Sequence, residues 1–426
     1  MDPGAASPSE QIVVCAEIAT HTKGMHAAMS TSTLLTPVGP TNAALRVECV
    51  GSVADAADCA TWNALSGENP FRSWQWLDCW SRHYAVAGVE PMVLVVRDAQ
   101  DRLIGVAPCC ATRSRIWGRT IRFLGSGEVC SDYLGLLSRP EDAPSVAEAI
   151  GTWLTSNGDT WDRIELDGVA ADDAAIARLV AGFQMRRHHV AMRSMPSAWA
   201  VELPERWDDY LPRLSQVRRD RVRQLTRRWL DSGRCVPRLA QSWSDVERAW
   251  PMLCELHQRR RKSLGEAGCF ASPQFTAFHY EVVDRMYQAG RLRLHWVEFE
   301  GQAIAGEYAL TGGDTIYVYQ CGFDPDHSKM KPGWLNTIAS MRLAIEQGYR
   351  RYDLLRGDEP YKQSWRAETR ALLEVRVMGK SVAARLRHRL LRAAAGAGAW
   401  INQRRECSRL AAGFAPRVAS DAAKLD

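Results

Sequence analysis

From residue 45 onward the apolar positions follow two rhythms, one of period two and one of about 3.6 residues, the signatures of strands and of amphipathic helices. The first half predicts a strand over 46–50 and helices over 54–65 and 73–84. The second helix places Trp76, Leu77, Trp80 and Tyr84 on one face, which reads as a core face. A hairpin follows, with 92–97 as one strand, 98–101 as the turn and 103–108 as the return. Strands over 120–124 and 133–137, a helix over 145–154, a strand over 163–166, a helix over 172–183 and a strand over 198–203 then lead to Pro204.

The second half repeats this order. It predicts helices over 207–213, 217–230, 245–262 and 273–288, then a meander of strands over 291–299, 303–310 and 315–321 with Glu300-Gly301 at its first turn. A helix over 334–347 and strands over 351–355 and 372–377 close it. Leu103-Ile104-Gly105 in the first hairpin corresponds to Ala303-Ile304-Ala305 in the second. The pattern predicts an α+β fold made of two copies of one unit, helices then a meander then β-α-β, spanning 43–204 and 205–379. Residues 1–42, rich in Ala, Ser, Thr and Pro without a hydrophobic period, read as a disordered leader. Residues 380–426 read as a basic helical tail.

Composition narrows the class. The chain has 426 residues, 46% hydrophobic and 24% charged, as expected for folded domains. No apolar run approaches the ~20 residues of a membrane-spanning helix. Twelve cysteines are scattered with no C-x-x-C pair, so the expectation is reduced thiols in a cytoplasmic protein, with no metal. The formal charge of +5 is concentrated in two places. Residues 213–228 carry seven arginines against Asp220, and 380–409 carry eight cations against Glu406, which leaves the remainder net acidic. Such helices suit the phosphates of an acyl carrier, an RNA or an anionic membrane surface, or they are solvated faces.

The chain lacks G-x-x-x-x-G-K-[ST], H-E-x-x-H and G-x-S-x-G, and Gly125-Ser126-Gly127 reads as a tight turn. Candidate chemistry gathers in 317–366. A strand ends at Gly322, a polar loop carries His327, Ser328, Lys329 and Lys331, and a helix starts at Pro332-Gly333. Free backbone N–H groups at such a start, with two lysines beside them, suit a pyrophosphate, and an exposed connection is the alternative. Asp353 sits inside an apolar strand, where it either orients or deprotonates an amine or is held by Arg356 or Lys362. Tyr361 and Lys362 open the next short helix and are placed to meet a leaving thiolate or a phosphate. His257, before the run Arg259-Arg260-Arg261-Lys262, and Glu307, inside another apolar strand, are further acid–base candidates.

With these segments in hand, residues 45–380 resemble the GNAT acyltransferase superfamily, in particular the CelD-type group named for bacterial cellulose biosynthesis, and more distantly the FemABX aminoacyl transferases. The resemblance rests on Asn69-Pro70-Phe71 with Trp76, on 103–108, on Leu256-His257, on Gly322-Phe323-Asp324-Pro325, on Pro332-Gly333 and on 352–362. It implies tandem GNAT-like folds, each a mixed sheet flanked by helices. It also implies acetyl-CoA or another acyl-CoA as co-substrate in the C-terminal copy, and an amine on a small-molecule, glycan or lipid-linked acceptor. Catalytic expectations fall on His257, Glu307, Asp353 and Tyr361, and donor-binding ones on Gly322, Ser328, Lys329, Lys331, Gly333 and Lys362. The usual [QR]-x-x-G-x-[GA] loop is missing after Tyr319, which keeps an aminoacyl-tRNA donor, or a non-catalytic partner of a polysaccharide-synthesis complex, in play. A location at the inner membrane face through the basic tail is the corresponding expectation for placement in the cell.

Overall fold

The computed structural model describes residues 45–387 apart from 87 and 383. The expected leader and most of the expected basic tail lie outside the described residues. The first half runs β1 (Arg46–Val50), α1 (Val53–Ala56), α2 (Cys59–Ser66), α3 (Trp74–Tyr84), β2 (Val89–Arg97), β3 (Leu103–Ser114), β4 (Gly118–Phe123), β5 (Leu137–Ser138), α4 (Ala143–Ser156), β6 (Arg163–Ala170), α5 (Ala174–Met185), β7 (Val190–Ser194) and β8 (Ala198–Glu202). The second runs α6 (Trp207–Tyr210), α7 (Gln216–Leu225), β9 (Cys235–Leu239), α8 (Trp243–Ser263), α9 (Pro273–Gln288), β10 (Leu292–Phe299), β11 (Gln302–Gly312), β12 (Thr315–Phe323), α10 (Pro332–Glu346), β13 (Arg351–Arg356), α11 (Pro360–Ser364), β14 (Glu368–Arg370) and β15 (Leu372–Met378). The helices begin where their sequence caps them. Asp58, Ser73, Asp173, Ser215, Ser242 and Ser272 each accept a hydrogen bond from a first-turn N–H, and Ser242 with Asp245 forms a reciprocal capping box.

Two mixed sheets result, in the orders β1-β2-β3-β4-β6-β15-β7 and β9-β10-β11-β12-β13-β8-β14. The orders match strand for strand, and each sheet takes its sixth strand from the other half. β15 pairs antiparallel with β6 and β7, while β8 pairs antiparallel with β13 and β14. The domain limits read from sequence, 43–204 and 205–379, therefore leave each sheet one strand short. Period-two patterning identifies a strand but carries no information about which sheet receives it. A further difference concerns 133–137, expected as a strand, of which β5 alone remains. Residues 124–136 form a loop in which Cys130 and Tyr133 adopt left-handed conformations, with φ of 46° and 59°. The strands β7 and β9 are too short and too exposed to show a clear pattern.

Three apolar clusters hold the layers. One packs α4 and α5 on the first sheet, and another packs α7 and α10 on the second. The third lies between the halves, where Phe71, Trp76 and Trp80 meet Trp250, Phe275, Phe278 and Tyr308. Full burial of each phenylalanine among them contributes roughly 1.5–3 kcal/mol. The ring centroids of Trp76 and Phe278 are 5.1 Å apart, edge to face.

Candidate active site

β12 and β13 are parallel partners only from Thr315–Tyr317 against 351–353. Beyond that point β12 continues to Phe323 and β13 to Arg356 without pairing to each other. Two local irregularities accompany the parting. The β11–β12 register shifts after Tyr308, leaving Tyr319 as an extra residue on β12, and Leu355 takes a left-handed φ of 55°. The opening is flanked by α10, whose N-cap Lys331 is left-handed and makes no side-chain cap.

The 124–136 loop reaches this opening from the first half. Tyr133 Oη donates to Asp353 Oδ2 at 2.7 Å, and the Arg356 N–H donates to Asp132 Oδ2 at 2.7 Å. The Arg356 guanidinium pairs with Asp132 at 2.8 Å, and Tyr319 Oη donates to the Val129 carbonyl at 2.7 Å. Asp353 is buried, and its second oxygen accepts the Leu355 N–H at 2.8 Å. Burial outweighs these two neutral donors and raises its carboxyl to about 6, with Asp132 adding to the rise. Neither Arg356 nor Lys362 pairs with it, contrary to one of the two sequence expectations. Arg356 is engaged by Asp132. Lys362, 2% exposed, donates to the Leu355 and Arg356 carbonyls at 3.0 Å each and meets Glu359 at 3.0 Å. Its ammonium ties off the end of β13 and is spent on internal partners instead of a donor phosphate.

Glu307 is likewise enclosed. It accepts from Ser340 Oγ at 2.8 Å, from Asn336 Nδ2 at 3.3 Å and from Tyr352 Oη, so one carboxylate ties β11 to α10 and β13. Burial raises its carboxyl above the ordinary range. His295, opposite Glu307 on β10, contacts Asn336 Oδ1 through Nδ1 at 3.1 Å. His257 is buried against the Phe270 ring and 3.6 Å from Cys269 Sγ; burial, aided by Arg261, lowers its imidazole to about 4 and keeps it neutral at pH 7. Gly322 lies beneath it, where a side chain would run into the backbone of Leu256 and His257, so this glycine serves helix-on-strand packing. Tyr361 is half exposed at the start of α11. Ser328, Lys329 and Lys331 are exposed ahead of α10, and Gly333 lies in its first turn. Asp324 and Asp326 in the same loop pair with Arg259 at 2.7 and 2.8 Å.

A groove of about 940 Å³ adjoins this region, lined by α7, α11 and Trp334, with Arg218, Arg221, Arg227 and Arg366 among its walls. The Arg218 guanidinium lies 3.9 Å over the Trp334 ring. The arginine-rich segment read from sequence is thus a wall of a concave surface. Among the described residues, no group of three or more His, Cys, Asp or Glu is placed to hold a metal ion.

Residues 216–363 match the family model of the acetyltransferase (GNAT) domain. That segment, about a third of the chain, contains α7, most of the arginine wall, the parting strands and α10. The chain is also similar in fold to the crystal structure of FemX, at 11% identity and a TM-score of 0.53, covering 78% of this chain and 97% of that one. A conserved protein of unknown function from Bacteroides thetaiotaomicron overlaps at 10% identity and a TM-score of 0.50, covering 78% and 100%. Comparison with the curated proteins gives no match. The architecture is a GNAT-like fold in tandem, two mixed sheets each flanked by helices, most of the second within the matched segment and the first repeating its strand order.

Two groups near the opening went unread in the sequence. Tyr133 is remote in sequence from Asp353 and falls in a segment whose composition predicts a strand. His279, fully buried, meets Tyr319 Oη at 3.2 Å and Tyr308 Oη at 3.4 Å. It sits on the apolar face of α9, and only the Phe275–Phe278 ring pattern around it marked the position as enclosed.

Proposed function

We propose that this protein is an acyltransferase that moves an acyl group from acyl-CoA to an amine acceptor, in polysaccharide or cell-envelope metabolism as the CelD-type resemblance implies. The observation that carries the reading is the parting of β12 and β13 beside the uncapped start of α10, with Lys329 and Lys331 exposed ahead of it. An acyl chain and its pantetheine fit between the strands, and phosphates fit the helix start. The amine lone pair attacks the thioester carbonyl carbon, the C–N bond forms, and the C–S bond breaks with its electron pair left on sulfur. Backbone N–H groups freed by the parting polarise the carbonyl. The amine proton passes through Tyr133 to Asp353, whose raised carboxyl suits a proton acceptor near neutral pH. Tyr361 at the mouth protonates the thiolate. Glu307 and His257 hold structure in this reading, as do Gly322 and Lys362.

An aminoacyl-tRNA donor is the second reading, favoured by the arginine-walled groove beside α10. Melting the full chain with acetyl-CoA, a longer acyl-CoA or charged tRNA separates them. A true donor at about a hundred times its Kd stabilises by about 2.7 kcal/mol. No shift with any of the three at high concentration overturns both readings.

A further inference from the structure

Strand register brings one end of the first sheet together from four distant segments. β4 starts beside the start of β6, with Thr120 opposite Arg163. β15 ends there, with Met378 opposite Arg163, and β7 begins there, with Val190 opposite Val377. The β3–β4 turn, the end of α5 and the segment after β15 therefore crowd one edge. Hydrogen bonds close it: the Arg119 N–H donates to Asp162 at 2.9 Å, Arg387 pairs with Asp162 at 2.7 Å, and Lys380 Nζ donates to the Arg186 carbonyl at 2.5 Å. The Arg113 N–H donates to the Gly88 carbonyl, bringing the loop before β2 to the same edge.

This end is unusual in what it exposes. Among the described residues, six of the twelve exposed large apolar side chains lie here: Val86, Ile116, Trp117, Met185, Val382 and Leu386. Val382 is 83% exposed, and Trp117, at 40%, is stacked by the Arg163 guanidinium at 4.3 Å. Cations surround them. Arg113 and Arg119 share Glu90, and Arg387 takes Asp162, while Arg115, Arg186, Arg187, Lys380 and Arg385 add further positive charge. From this edge the sequence continues with Arg389, Arg392, Arg404, Arg405 and Arg409. Apolar and indole side chains standing among cations are the features that settle at a lipid–water boundary, the rings at headgroup depth and the cations on lipid phosphates. Against a nucleic acid backbone the aliphatic side chains find no partner, so the combination favours lipid.

We propose that this end of the first sheet is a contact surface for an anionic membrane. The occupant is a bilayer rich in acidic phospholipid, and the surface shares no residue with the candidate active site, so it stands apart from the donor question. Its test is co-sedimentation of the full chain with phosphatidylcholine vesicles and with vesicles of phosphatidylcholine mixed with phosphatidylglycerol. Binding to the mixture alone, weakened by salt, is expected. Arg115→Glu with Arg385→Glu lowers it by about tenfold or more, since each surface cation is worth about 1 kcal/mol. Ile116→Ser with Val382→Ser lowers it at unchanged charge, and both pairs keep the wild-type melting temperature because the positions are exposed. Equal binding to neutral and mixed vesicles, absence of binding, or indifference to the serine pair overturns the proposal. Binding to poly(U) RNA as tight as to the mixed vesicles, with no effect of the serine pair, overturns it in favour of nucleic acid.

Discussion

The two copies carry a carboxylate at the same place and treat it in opposite ways. Glu165 is the third residue of β6 and Asp353 the third of β13, each just where its strand parts from the parallel neighbour. The exchanged strand supplies the difference: β15 sets Arg376 opposite Glu165, and β8 sets Ala200 opposite Asp353. Glu165 lies 2.5 Å from Arg122 and 3.3 Å from Arg376 and is paired with Arg163. Burial pulls its carboxyl up, but a hydrogen bond with Glu374 and the three guanidinium groups carry it below the ordinary range. Asp353 has a tyrosine and a backbone N–H, and burial prevails. The helix starts differ in the same sense, with Glu141 and Asp142 ahead of α4 and Lys329 and Lys331 ahead of α10. Corresponding positions hold a structural ion cluster in one copy and a perturbed carboxyl beside an opening in the other, and such perturbation marks functional candidates.

The strongest challenge to this comparison is to separate the copies. Expressed alone, 45–204 and 205–387 each present a sheet lacking its sixth strand, and neither is expected to melt cooperatively; mixing the two restores a single transition. A cooperatively melting 45–204 fragment would show the exchange to be dispensable. Next in size, Asp353→Asn is expected to cost about 10²–10⁴ in turnover and to erase a pH–rate limb near 6, while Glu165→Gln leaves that limb in place. Tyr133→Phe is expected to move the limb upward, because the carboxylate loses a hydroxyl donor that lowers its pKa. If both carboxyl variants behave alike, Asp353 has no special role.

Stability effects come below these. Lys362→Met leaves two buried carbonyls without their donor and is expected to cost about 3 kcal/mol, read as a lowered denaturant midpoint. The two carboxyls also predict opposite pH slopes. A raised native pKa at Asp353 means stability falls as pH rises from about 4 to 6, by up to roughly 3 kcal/mol, and Asp353→Asn flattens that slope. A lowered native pKa at Glu165 means its stabilisation is present at neutral pH and lost in acid. Arg376→Ala should therefore cost about 1–3 kcal/mol at pH 7 and less as pH falls, checked by denaturant melts across pH.

Much of the framework was legible in the chain. The helix over 273–288 is legible to the residue, because Ser272 and Pro273 mark its start and its apolar stripe is interrupted only by His279. The meander and the repeat of Leu103-Ile104 in Ala303-Ile304 identified the duplication, since β-turn chemistry and alternation are local. Asp353 stood out for the physical reason that holds in the structure, a carboxylate in an apolar strand. What escaped were relations between distant residues. Lys362 looked like a phosphate ligand because its spacing from Tyr361 is local, whereas the carbonyls it caps are brought to it by the left-handed turn at Leu355. Tyr133 resembles a strand residue by composition, and its contact with Asp353 follows from a loop that crosses between halves.

Local patterning, then, was enough to specify two α+β units, their turns, and Asp353 and Glu307 as carboxylates inside apolar strands, because propensity and periodicity act over a few residues. The reciprocal exchange of β8 and β15 lay beyond it. Strand partners are chosen by burial and hydrogen bonding across more than a hundred residues of chain, and that choice, Ala200 at one carboxylate and Arg376 at the other, separates a buried carboxyl with a raised pKa from an ion cluster.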